Sequence, residues 1–199
     1  VAMEEIDPDF VAWNEAAAAD WRPEVVAPLG LQVDRRVQER VRATLDAHRI
    51  PAVLGGEHSV ALGGMLAATE RHPRIGVLQI DAHADLRDGY EGLVRSHASV
   101  MHNLLEQAPL LTTLVQVGLR DVGRAECARI QSDPRIRAFF DHVLAEQLCR
   151  GTPWSDLVSG ILDPLPEQVW VSVDVDGLDP SLCPYTGTPV PGGLDWRQA

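Results

Sequence analysis

Residues 75–85 read Ile75-Gly76-Val77-Leu78-Gln79-Ile80-Asp81-Ala82-His83-Ala84-Asp85, a strand-length apolar run leading straight into two carboxylates and an imidazole. A run of this length with no polar alternation is the pattern of a strand covered on both faces, as in a parallel sheet flanked by helices. In extended backbone, side chains at i and i+2 point the same way, roughly 6.5–7 Å apart. Asp81, His83 and Asp85 therefore share one side, and the small Ala82 and Ala84 take the other.

Working outward, the same alternation of elements repeats. Upstream, Val33, Val37, Val41 and Leu45 recur every fourth residue among Arg, Glu and Gln, which predicts an amphipathic helix with one buried stripe. Residues 1–30 are acidic, alanine-rich and punctuated by Pro8, Pro23 and Pro28, and read as loops with short helical pieces. Pro51 ends the helix, Ala52-Val53-Leu54 reads as a short strand closed by Gly55-Gly56, and Ser59 is a candidate N-cap for a helix to about Arg71. Pro73 leads into the 75–80 strand. Downstream come a helix over 97–107, a strand over 114–117, a helix over 125–131, a strand over 138–143, a helix over 154–162 and a strand over 169–173. Strands alternating with helices at this spacing imply βαβ units, a mostly parallel sheet and a single α/β domain over residues 1–199.

Composition narrows the function. The 199 residues carry 17 basic against 29 acidic side chains, a formal net charge of -12, which argues against a nucleic-acid partner. Every basic residue is arginine, and without lysine there is no phosphate-loop lysine, Schiff base or lysine general base. No apolar run approaches the ~20 residues that span a bilayer, so no membrane partner is expected. Cys127, Cys149 and Cys183 are scattered and odd in number, the usage of a reducing compartment, and a cytoplasmic location is expected.

In open α/β sheets, ligands bind outside the carboxyl ends of strands. Three expected strand ends carry metal-type ligands: Gly55-Gly56-Glu57-His58-Ser59, Asp81 to Asp85, and Ser172-Val173-Asp174-Val175-Asp176-Gly177. Clustered carboxylates at the mouth of an apolar sheet repel one another unless cations neutralise them. Two divalent ions sharing carboxylates would do so and supply an activated water. Imidazole plus carboxylate without thiolate favours Mn²⁺ over soft-metal sites. The competing reading of these aspartates is helix capping in solvated turns. His48, His72, His102 and His142 belong to no such motif and read as structural.

The blocks GGEHS (55–59), DAHADLR (81–87), SHASVMHNL (96–104) and SVDVDGLDPSLCPYTGTPVPGGL (172–194) resemble, in order, the signature blocks of the ureohydrolases, the arginase/agmatinase family. The resemblance runs from about residue 51 to 194. It implies a three-layer α/β/α fold, two Mn²⁺ per chain and hydrolysis of a guanidino or formimino compound. It implies that His58, Asp81, Asp85 and Asp174 hold one ion and that His83, Asp81, Asp174 and Asp176 hold the other. It further implies that Asp85 steers the nucleophile, that His97 delivers a proton to the leaving amine, and that the protein is a homo-oligomer, a trimer or hexamer.

Against the arginase pattern, Arg120-Asp121-Val122-Gly123 lacks the second aspartate that reads the substrate α-amino group, leaving Glu126 as the nearby acid, and Arg87 stands where arginases carry Asn. Glu57 in GGEHS is closer to agmatinases. These departures favour a small cationic guanidino substrate such as agmatine, cleaved to urea and putrescine, with arginase as the alternative. A non-catalytic metal-binding relative and a one-zinc amidohydrolase of the histone-deacetylase type are the readings from other classes. The resemblance also implies a βα unit before residue 33 and strands after Ala199, including a glutamate that holds the guanidinium. Residues 1–199 alone are therefore expected to be an incomplete enzyme, truncated at both ends.

Overall fold

The computed structural model describes residues 8–72 and 74–199; residues 1–7 and Pro73 lie outside the described residues. The helices are α1 (Pro8–Ala19), α2 (Pro23–Asp46), α3 (Ala61–Arg71), α4 (Val100–Gln107), α5 (Arg124–Ser132), α6 (Asp141–Cys149) and α7 (Trp154–Leu162). The strands are β1 (Gly76–Ile80), β2 (Thr113–Leu119), β3 (Ile136–Phe140) and β4 (Val169–Val173). They form one parallel sheet in the order β3-β2-β1-β4.

Helices cover both faces, which makes three layers. On one face Val77, Leu114 and Ile136 pack with Leu62 and Met65 of α3 and Met101 and Leu104 of α4. On the other, Val115, Val117, Leu78 and Ile80 meet Leu144 of α6 and Leu157 and Ile161 of α7. The α2 stripe docks on α3, with Val37 and Val41 buried and Val33 and Leu45 partly so. No helix among the described residues is long and apolar enough to cross a membrane.

Four local expectations are corrected. From Pro8 onward the N-terminal stretch is largely helical: Pro23 starts α2 at a position whose N–H needs no partner, and Pro28 sits inside the helix. Residues 52–54 take no regular secondary structure and pair with no strand, with Leu54 98% exposed. They face the outer edge of β4 across an open groove of about 1130 Å³, so their backbone finds no strand to bond. The residue opening the helical stretch near 58 is Glu57, whose carboxylate accepts from the Ser59 amide at 3.2 Å, rather than Ser59 itself. Finally, β3 ends at Phe140 and Asp141 opens α6, so the aromatic pair Phe139–Phe140 carries strand character only as far as the helix N-terminus.

The chain order places a topological switch beside β1. Successive strands β1, β2 and β3 step one way across the sheet, and β4 returns to the far side of β1. A crevice forms where neighbouring connections leave in opposite directions. Asp81 and Asp174 stand at that point, because Ile80 pairs with Val173 and the Asp174 amide donates to the Ile80 carbonyl at 2.9 Å.

Candidate metal centre

Three segments converge on the switch point. A turn at His58–Val60 presents His58, the β1 exit presents Asp81, His83 and Asp85, and a turn at Val175–Gly177 follows Asp174 and presents Asp176. Two groups of ligand atoms result, each within 4.8 Å of one another: His58, Asp81 and Asp174, and Asp81, His83 and Asp176. Asp81 belongs to both. Asp85 adds its Oδ2 at 2.8 Å from His58 Nδ1. Asp174 joins the first group, and its Oδ1 accepts from the Asp176 amide at 3.1 Å.

Loop geometry explains the convergence. Asp85 has φ 54°, left-handed backbone that Asp tolerates better than most residues. Its carbonyl accepts from the Met101 and His102 amides at the start of α4 (3.1 and 3.0 Å), which holds the strained turn. Gly177 lies so close to β1 that a Cβ there would stand 2.8 Å from the Asp81 nitrogen. Glycine alone allows the two aspartate-bearing segments to touch.

The donor set fits a cation. His58 is buried, its Nε2 lies 2.8 Å from Ser172 Oγ, and its Nδ1 faces Asp81 Oδ2 at 3.0 Å, Asp85 Oδ2 at 2.8 Å and Asp174 Oδ2 at 3.6 Å. Nδ1 nevertheless makes no hydrogen bond of acceptable geometry. A buried ring nitrogen close to three carboxylate oxygens yet without a hydrogen bond is an arrangement that could hold a cation. His83 Nδ1 similarly lies 3.1 Å from Asp176 Oδ2 and 3.5 Å from Asp81 Oδ1. Four carboxylates and two imidazoles match the charge of two divalent ions, and no cysteine belongs to either group.

Electrostatics report the same crowding. Burial and then the Asp81 charge push the Asp85 carboxyl up to about 7. Burial also raises Asp174, with Asp81 adding to it. Burial works against ionisation of Asp81 too, but His58 and His83 hold that carboxyl well below the usual range. The Asp176 and Asp81 carboxylates raise His83 to about 10. Burial opposes a proton on His58, yet Asp81 and Asp85 together hold the ring well above its ordinary value.

The remaining candidates lie at the rim. His97, its side chain 45% exposed, has Nδ1 3.7 Å from Glu57 Oε2, and its ring meets Tyr90 edge-on at 5.4 Å. Its loop is fixed by Ser99 Oγ, which accepts from the Ser96 amide at 3.0 Å, and by Arg95, which donates to the buried Asp34 at 2.6 Å. Arg87 lies over the Tyr90 ring at 5.1 Å and 3.8 Å from Glu126. Glu126 is buried and accepts from the Leu86 and Gly123 amides at 3.0 and 2.8 Å, clamping the start of α5 to the Asp85 loop.

Several supporting residues escaped the sequence reading. Besides Ser172, Thr188 donates to Asp176 Oδ2 at 2.9 Å. Arg120 donates to the carbonyls of Gly118, Asp176, Leu178 and Val190, tying the 176–190 loop to β2. Asp121 Oδ2 lies 3.8 Å from His83 Nε2. The available signal was a polar residue inside an apolar strand: Ser172 in β4, and Gln79 and Gln116 in β1 and β2.

The family model of the arginases matches residues 4–199. The chain is 35% identical over 191 residues to an N(1)-aminopropylagmatine ureohydrolase of Thermus thermophilus, covering 96% of this chain and 60% of that protein. It is 33% identical over 167 residues to human arginase-1, covering 75% of this chain and 51% of that one. Among solved structures, arginase from Bacillus cereus superposes with a TM-score of 0.75 at 26% identity, covering 86% of this chain and 63% of its own. The agmatine ureohydrolase of Thermoplasma volcanium does so with a TM-score of 0.70 at 28% identity, covering 85% and 54%. The chain thus spans about 60% of the length of the Thermus relative. With its signature blocks meeting at one switch point, the chain belongs to the arginase family.

Proposed function

We propose that this protein contributes the metal centre of a binuclear-manganese hydrolase that cleaves a guanidino compound to urea and an amine, agmatine being the favoured substrate. The observation that carries the reading is Asp81 standing in both ligand groups at the sheet's switch point. Divalent cations bound there would supply a water acidic enough to act as nucleophile near neutral pH. Asp81, His58, Asp85 and Asp174 would hold one ion, and Asp81, His83, Asp174 and Asp176 the other.

The chain's own residues do the rest. Asp85 accepts a hydrogen bond from the nucleophile and sets its direction toward the planar guanidinium carbon. His97, part-exposed beside Glu57, would pass a proton to the departing amine. The net charge of -12 favours a cationic substrate.

Gly123 in place of a second aspartate supports a substrate without an α-amino acid head, and Glu126 engages both carboxylate oxygens with backbone amides. Arginine is the alternative, with Arg87 available to its carboxylate. The deciding experiment loads the full-length protein with Mn²⁺ and measures release of urea, or of formamide from the formimino compound. The panel is agmatine, N(1)-aminopropylagmatine, arginine, guanidinobutyrate and formiminoglutamate. Faster urea release from agmatine than from arginine is expected. A clear arginine preference overturns the substrate assignment, and no release from any of them by a protein holding two Mn²⁺ favours a non-catalytic relative.

The catalytic unit is also proposed to be larger than residues 1–199 and homo-oligomeric. The outer edge of β4 supports this, since Val171 and Val173 are 56% and 54% exposed beside the open groove. An unpaired apolar edge of this kind ordinarily pairs with a further strand.

A further inference from the structure

Two glutamines occupy the middle of the sheet where aliphatic side chains would serve the core better. Gln79 of β1 and Gln116 of β2 are register partners, and both are 0% exposed. They project toward the α3 and α4 face, on the same side as Val77 and Leu114 two residues before them. The Gln116 amide donates to Gln79 Oε1 at 2.6 Å and to the Ala84 carbonyl at 2.7 Å. The Gln79 amide in turn donates to Asp81 Oδ2 at 2.7 Å and to the His83 carbonyl at 3.3 Å.

The arrangement is costly as packing. A buried amide loses its hydration and recovers it only through good internal bonds, and Gln116 Oε1 has no partner at all. All the bonds that are made end on the 81–85 loop or on the other glutamine. Each Asp81 oxygen is held once by a protein donor: Oδ1 by the His83 amide at 2.7 Å, and Oδ2 by Gln79. The same oxygens face opposite partners, Oδ2 lying 3.0 Å from His58 Nδ1 and Oδ1 lying 3.5 Å from His83 Nδ1. A carboxylate anchored through one lone pair on each oxygen keeps the other pair on each side free for a separate cation.

We infer that Gln79, backed by Gln116, is a positioning residue that locks Asp81 in the rotamer shared by both ligand groups, an inference that rests on the metal-centre reading above. Outer-shell partners of this kind set ligand orientation and typically govern metal affinity by about 10–100-fold.

The test uses Gln79→Met and Gln116→Met, each close in volume to the residue it replaces. Mn²⁺ titration by calorimetry and the exchange-coupled electron paramagnetic resonance signal of a manganese pair are read beside the melting temperature of the metal-free protein. Gln79→Met is expected to weaken Mn²⁺ about 10–100-fold and to diminish the coupled signal at equal loading, while the metal-free protein melts no lower than wild type. Gln116→Met should do the same to a smaller degree, and it carries the test if Gln79→Met does not fold. A lower melting temperature with unchanged affinity and signal would mean that the pair only fills the core, and would overturn the inference. Wild-type protein binding no Mn²⁺ pair would overturn the metal-centre reading itself, a failure the wild-type titration shows before either variant is made.

Discussion

His58 Nε2 and Ser172 Oγ lie 2.8 Å apart in the interior, although 114 residues separate them in sequence. The contact fastens the His58 turn to β4 and turns Nδ1 of the ring toward Asp81, Asp85 and Asp174. A ligating imidazole is generally oriented through its other nitrogen.

Ser172→Ala should therefore weaken the ion held by His58 more than the ion held by His83. A loss of about 10–100-fold in affinity is expected, together with about 1–3 kcal/mol of stability from the unpaired buried ring nitrogen. Stepwise Mn²⁺ titration and denaturant unfolding measure the two effects. Equal weakening of both ions would show that Ser172 does not act through His58.

Asp174→Asn and His97→Asn separate holding from proton transfer. Asp174→Asn removes one charge beside His58 and Asp176, and most activity should go with the metal. His97→Asn should keep both ions and slow turnover by about 10²–10⁴-fold. Metal analysis of each purified variant decides, and a metal lost from His97→Asn would remove the histidine from its proposed role.

At Asp85 the side chain and the backbone can be tested apart. Asp85→Asn and Asp85→Ala both lose the carboxylate, but Asn tolerates the φ of 54° and Ala does not. In metal-free protein Asp85→Ala should be about 1–2 kcal/mol less stable than Asp85→Asn. Equal unfolding midpoints in the presence of chelator would mean that the turn relaxes.

Gly177→Ala tests the contact between the two aspartate-bearing segments. Its Cβ would stand 2.8 Å from the Asp81 amide nitrogen, a backbone atom with no room to retreat. A destabilisation of about 1–3 kcal/mol and weaker binding of both ions are expected. Wild-type unfolding and metal titration curves from this variant would show that the turn shifts freely.

Away from the centre, Asp133 gives a pH dependence. The Arg135 side chain and amide hold its carboxyl at about 2, below the ordinary 3.8. A depressed carboxyl contributes stability that is fully present above the unfolded value and is lost as pH falls toward the folded one. Asp133→Asn should cost about 1 kcal/mol near neutral pH, allowing for solvent screening. The gap to wild type should narrow as pH falls through roughly 4 to 2. Denaturation midpoints across that range measure it, and a gap constant with pH would assign the effect to hydrogen bonding alone.

Much of the protein was legible from short-range pattern. The apolar runs of β1 and β4 and the amphipathic α2 stripe are local signals, and so is the placing of Asp81 and Asp174 directly after strands. Local reading failed where the outcome rests on a distant partner. Ala52, Val53 and Leu54 have strand propensity, but a strand exists only when a neighbour accepts its hydrogen bonds, and β4 lies across a groove. Of the two prolines that read as breakers, Pro23 falls at the helix start, where a lost donor costs little, while Pro28 lies inside the helix, which continues through it despite the missing donor.

At the site, sequence by itself determined which residue types stand at the strand ends and with what spacing. Only the tertiary structure decided that β4 returns beside β1, so that Ile80 and Val173 come level and Asp81 and Asp174 become neighbours. It also decided that Asp81 is shared between two groups, and that Ser172 bonds to His58, Gln79 to Asp81 and Gln116 to Gln79. Ligand type and spacing are encoded within a few residues of backbone. Which ligands meet depends on strand order and register, and these are set by the packing of both helical layers across the whole sheet.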